Sequence, residues 1–145
     1  MKACNRKLLI ILLFSLTPLL FLNIVIAADY AVVANKEVLV SSLRKAEIQA
    51  IFLGDKTRWE DGKPIKIAVL EGGAASKAFL QNVVGKTPSQ YELYWKKLVF
   101  NGKAVAPRSF DDAAALIQFV SGTYGAVGFV GANDTGSSVK TITIK

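Results

Sequence analysis

Histidine is absent from this 145-residue sequence, and cysteine occurs once, at Cys4. A single thiol excludes an intrachain disulfide. Without imidazole or a second thiol, the usual zinc and copper ligand sets cannot be assembled. Acid–base chemistry near neutral pH would fall to carboxylates, lysines or tyrosines. Acidic residues are few as well, 11 against 18 Lys and Arg, for a formal net charge of +7. That surplus is scattered, with Arg44–Lys45 and Lys96–Lys97 its densest pairs. No basic stripe of the kind that follows a nucleic-acid backbone is visible. Internal repeats and low-complexity linkers are also missing.

What is abundant at the start is apolar sequence. Lys2, Arg6 and Lys7 precede a run from Leu8 to Ile26, broken only by Ser15, Thr17, Pro18 and Asn23. Val25-Ile26-Ala27, or Ile26-Ala27-Ala28, then offers small residues at the cleavage positions, the pattern of a secretory signal peptide over residues 1–28. An uncleaved membrane anchor is the alternative, because the run is near the length that spans a bilayer. Cys4 precedes the run, so it is not the acylated cysteine of a lipoprotein. Cleavage would leave residues 29–145 with neither cysteine nor histidine. Loss of three basic residues would lower the formal charge from +7 to +4. Such a chain is large enough for one packed domain. Its charge mildly favours an anionic ligand or an acidic partner surface.

Along residues 29–145, hydrophobic periodicity predicts alternating strands and helices. Tyr30–Val33 reads as a buried strand and Val38–Val40 as a second extended piece. Ser41–Ser42 is positioned to cap a helix over Leu43–Leu53, which Gly54 closes. Trp59 and the Asp61–Gly62 turn lead into a strand over Pro64–Leu70. Gly72–Gly73 then opens a helix over Ala74–Val84, ended by Gly85. Thr87-Pro88-Ser89-Gln90 is a strong helix start, with Thr87 as cap and Gln90 completing a capping box. Ser109 and Asp112 have the spacing of a second capping box, before a helix over Asp111–Val120. Tyr124–Val130 and Val139–Ile144 read as strands. The class is α/β with a mixed sheet.

Three constellations suggest chemistry, each with a plainer reading. Tyr91, Tyr94 and Trp95 suggest a carbohydrate platform, but this spacing is that of a helix face turned to the core. Asp111–Asp112 suggests a carboxylate pair, yet adjacent helix residues point about 100° apart, and helix-start chemistry accounts for them. Glu60–Asp61 lies in a turn, where acids are ordinary. No catalytic residue is assigned. The turn Gly72–Ser76 is the best candidate for a ligand, because a glycine turn from a strand into a helix offers free N–H groups to an anion. Glycine's tolerance of positive φ explains the same turn as a tight connection with no ligand.

Six ordered segments carry a resemblance: Val33-Ala34-Asn35, Ile51-Phe52-Leu53-Gly54, Trp59-Glu60-Asp61-Gly62-Lys63-Pro64-Ile65, Tyr94-Trp95, Phe100-Asn101-Gly102 and Gly125-Ala126-Val127-Gly128-Phe129-Val130. Together they resemble the periplasmic phosphate-binding components of ABC importers, and the short secreted proteins related to them. The resemblance implies a type II periplasmic-binding-protein-like fold, of which this sequence carries the equivalent of one lobe. It implies phosphate or another oxyanion as ligand, transport rather than catalysis, a periplasmic location, and neither cofactor nor metal. In that family an arginine precedes a Ser-Gly-Thr turn. Counted back from Phe79, the turn falls on Gly73, Ala74 and Ala75, and the arginine on Val69. The remaining ligand contacts are the backbone of Gly72, Gly73, Ala74, Ala75 and Ser76, the Ser76 hydroxyl, and nearby Lys77. Two functions follow: a solute-binding-like protein with a degenerate oxyanion site, completed by a second protein or a second copy, or an interaction module whose fold docks an envelope protein (a sensor, transporter or outer-membrane partner) without ligand. Neither involves nucleic acid, nor membrane once the signal is removed.

Overall fold

The computed structural model describes residues 29–145; the expected signal segment 1–28, Cys4 included, lies outside the described residues. Six strands form one mixed sheet in the order β2-β6-β1-β5-β3-β4. These are β1 (Tyr30–Ala34), β2 (Ser42–Leu43), β3 (Lys66–Leu70), β4 (Arg108–Phe110), β5 (Ala126–Gly131) and β6 (Lys140–Ile144). β1 runs antiparallel to β5 and β6, whereas β3 runs parallel to both β5 and β4. Four helices cover the two faces: α1 (Lys45–Phe52), α2 (Gly73–Phe79), α3 (Pro88–Phe100) and α4 (Ala113–Gly122).

Period-2 alternation sends neighbouring residues to opposite faces, so each strand feeds two cores. Val33, Ala68, Ala126 and Val130 pack with Leu116 and Val120 of α4. Val32, Ala34, Val127 and Phe129 pack on the other face with Ile48, Ile51 and Phe52 of α1 and with Phe79 of α2. Phe79 stacks on Phe129 with centroids 4.1 Å apart and meets Phe52 edge-on at 4.8 Å. Each such buried phenyl contributes about 1.5–3 kcal/mol relative to exposure. β5 is buried on both sides, which is why it reads as a continuous apolar run rather than an alternating one. Gly128 is required there. A Cβ at that position would stand 2.9 Å from both the Ala68 carbonyl oxygen and Leu116 Cδ2, so glycine sets how closely α4 approaches.

Several expectations are corrected. Val38–Val40 is not a strand; the short pairing in this region is Ser42–Leu43 with Thr143–Ile144, in parallel. Ser42 is thus spent on the sheet, and α1 begins two residues later, at Lys45. Its cap position is Arg44, whose N–H donates to Glu47 Oε2 at 3.0 Å. The helix expected over Ala74–Val84 begins at Gly73 and widens into a π-turn over Leu80–Val84 before Gly85 ends it at φ +80°. Ser109 belongs to β4 and caps nothing. Asp112 alone accepts the Ala115 N–H at 2.8 Å, and α4 starts at Ala113 rather than Asp111. The box at Thr87 forms as expected: Gln90 N–H donates to Thr87 Oγ1 at 3.2 Å, and Thr87 N–H to Gln90 Oε1 at 2.9 Å.

Candidate functional site

The parallel arrangement of β3 and β4 brings their C-terminal ends together, with Leu70 opposite Phe110. In open α/β sheets this is where crevices form, because the following loops and helix starts diverge there. A cleft of about 760 Å³ opens at this point. Its floor is Val69, Leu70 and Leu80, one wall is the α3 face through Tyr91, Trp95 and Val99, and the rim includes Glu71, Glu92, Lys96, Phe100, Pro107 and Ser109.

The α3 wall is held by hydrogen bonds to the end of α1. Tyr91 Oη donates to the Phe52 carbonyl at 2.8 Å, Trp95 Nε1 to the same carbonyl at 3.2 Å, and Tyr94 Oη to the Leu53 carbonyl at 2.7 Å. The last carbonyls of a helix lack intrahelical donors. Here three aromatic side chains supply them. That settles the aromatic stripe as core and capping chemistry rather than an exposed platform, with Tyr91 and Trp95 each 5% exposed. Burial pushes the Tyr91 phenol well above its ordinary range, and that of Tyr94 upward, with Asp55 adding to the latter. Gly54 completes the joint. It sits at φ +79°, and a Cβ there would stand 2.8 Å from Trp95 Cη2.

The turn singled out from the sequence forms one corner of the cleft. Gly72 and Gly73 hold φ of +72° and +79° as the chain passes from β3 into α2. A Cβ at either would meet nothing within 4 Å, so positive φ, not crowding, demands glycine here. Of the five candidate residues, Gly72 and Ser76 line the cleft. Ala74 is exposed, Ala75 half-buried, and Ser76 buried at 2%. Val69, where the resemblance places an arginine, does face the cleft, but with an isopropyl group. Arg108 points away, over the rings of Phe110 and Phe119 on the α4 side.

The electrostatics of the cleft were not anticipated. Glu71 immediately precedes the turn and lines it, and its N–H is bound to the Phe110 carbonyl at 2.8 Å. Lys96, the one basic residue among the described residues that line the cleft, lies 2.6 Å from Glu92, which it holds below the usual carboxylate range. The adjacency of Glu71 to Gly72 was readable in the sequence; the approach of α3 was not. Asp61 is occupied in its turn, accepting from Lys63 N–H at 3.1 Å and Tyr124 Oη at 3.1 Å. No cluster of metal-ligating side chains occurs among the described residues, nor any helix long and apolar enough to cross a membrane.

The architecture is thus one α/β lobe with a cleft at the ends of its parallel strands. No protein-family model matches the sequence. Solved structures do match. An ABC-type phosphate transport receptor from Vibrio cholerae aligns with a TM-score of 0.62 at 18% identity, over 80% of this chain and 46% of the receptor. PstS from Borrelia burgdorferi aligns at 0.59 and 12% identity, over 81% and 47%. A phosphate-binding protein from Stenotrophomonas maltophilia aligns at 0.56 and 15%, over 81% and 39%. The chain spans less than half the length of each. At such identities the likeness establishes the fold: a single lobe of the periplasmic-binding-protein type, as the sequence resemblance implied.

Proposed function

We propose that this chain is an exported solute-binding-type protein in which the turn Gly72–Ser76 is a degenerate oxyanion contact. One observation carries the reading. At the C-terminal end of β3, two consecutive positive-φ glycines start a helix, and Gly72 and Ser76 open into the large cleft. Support for phosphate as the anion comes from the names of the similar structures. Support for export comes from the basic, then apolar, N-terminal pattern.

The binding should be weak. A bare helix terminus contributes about 0.3–1 kcal/mol towards one charge, at most about a fivefold gain in affinity. An arginine would add a bidentate, charge-assisted pair, and Val69 offers none. The Glu71 carboxylate beside the turn opposes an anion. Phosphate or sulfate titrated against the ¹⁵N-labelled protein should shift the amide resonances of residues 72–76, with a midpoint in the millimolar range or weaker. Unmoved resonances there at high anion concentration would remove the proposal.

The second reading is a ligand-independent interaction module of the cell envelope. It is favoured by the apolar lining of the cleft and by Glu71 and Glu92 within it. Capture of one stoichiometric partner from envelope extract, equally with and without phosphate, is its expected result. A partner that binds only with phosphate present would reject it. Catalysis is not part of either proposal, since Asp112 and Asp61 are engaged as cap and turn.

A further inference from the structure

Of the five exposed large hydrophobic residues among those described, four lie between positions 93 and 105: Leu93, Val99, Phe100 and Val105. Phe100 and Val105 are each 91% exposed. Scattered apolar residues on a surface need no explanation, but Val99 and Phe100 line the cleft, and Val105 directly precedes Ala106 and Pro107, which line it too. Phe100 stands on the rim of the 760 Å³ cleft and also borders a shallower recess with Lys96 and Lys97. A projecting apolar knob and an apolar hole therefore share one face.

We propose that this face is a two-fold interface between two copies of the chain, with Phe100 of each copy seated in the cleft of the other. An isologous interface must be self-complementary, each patch meeting its own copy. Knob beside hole meets that requirement in shape. Charge meets it too: with Glu92 and Lys96 paired to each other within one chain, Glu71 on the cleft rim and Lys97 beside Phe100 are left to pair between copies. A face of one sign would repel its copy, whereas this one can pair Glu71 of each chain with Lys97 of the other. Phe100 also fits the composition of interface centres, which are enriched in aromatic residues. This inference does not depend on anion binding; either can fail alone.

Sedimentation equilibrium on the protein expressed from its full sequence is the test, without phosphate. The expected result is a dimer with a dissociation constant in the micromolar range or tighter, as interfaces of standard size give. Phe100→Asp and Val105→Asp should each weaken it by about a hundredfold or more, since a carboxylate would be buried against apolar surface. Both positions are almost fully exposed in the single chain, so neither change should disturb folding, which circular dichroism checks. Leu39→Asp, at the 79% exposed residue leading to the opposite sheet edge, should leave the dimer unchanged. A wild-type protein still monomeric at about 100 µM would overturn the proposal by mass action. So would a dimer indifferent to both Asp substitutions.

Discussion

The Phe52 carbonyl accepts from two side chains at once, Tyr91 and Trp95, in a buried site. That arrangement makes a sharp prediction about how the cleft wall is attached. Tyr91→Phe removes one donor but leaves Trp95 Nε1 in place, so the carbonyl keeps a partner. The cost should be that of one ordinary hydrogen bond, about 0.5–1.5 kcal/mol. Trp95→Phe likewise leaves Tyr91, and adds the loss of packing from a smaller ring. The double substitution strips the carbonyl of both. A buried acceptor with no partner costs about 1–3 kcal/mol. The double variant should therefore be less stable than the sum of the singles by about 1 kcal/mol. Urea unfolding reads this directly: with a slope of about 1–3 kcal/mol/M, that coupling moves the midpoint by several tenths molar beyond additivity. Additive effects within about 0.3 kcal/mol would refute shared capping, and with it the account of why α3 carries aromatics at this spacing.

Gly128→Ala places a methyl against the Ala68 carbonyl and Leu116, so it should destabilise by about 1–3 kcal/mol through overpacking. A variant as stable as wild type in the same urea assay would show that α4 is free to shift. The pH dependence of stability should be a plateau with two flanks. The Lys63 N–H and then the Tyr124 hydroxyl hold Asp61 below its ordinary range, and the Arg44 N–H does the same for Glu47. Depressed carboxylates stabilise above their unfolded range and lose that contribution as pH falls through the folded values, so stability should decline below about pH 4–5. Tyr91 and Tyr94 are raised by burial, and their contribution is present below about pH 10 and lost as pH rises further. The chain has no histidine, so a transition centred near pH 6.5 would contradict this scheme.

Much of the fold was legible because local chemistry decided it. Thr87-Pro88-Ser89-Gln90 can satisfy its own helix start, and it does so in the structure without help from elsewhere. The apolar run Tyr124–Val130 read as a strand, and β5 forms there over Ala126–Gly131. Glycines at 54, 72, 73 and 85 marked positive-φ turns, and each adopts one. The failures are equally physical. Ser42 and Ser109 looked like helix caps, since a cap is a local signature. Both were claimed by strand partners distant in sequence, Thr143 and Val69. The π-turn at Leu80–Val84 likewise has no local signal.

By itself the sequence determined the fold class and the glycine turn into α2. Those follow from residue identity and short-range spacing, which folding does not alter. Only the tertiary structure decided that the aromatic stripe of α3 caps α1, that Lys96 is paired with Glu92, and that Phe100 projects beside an apolar cleft. Each of these depends on where α3 lies against the sheet, and packing across the whole domain sets that position.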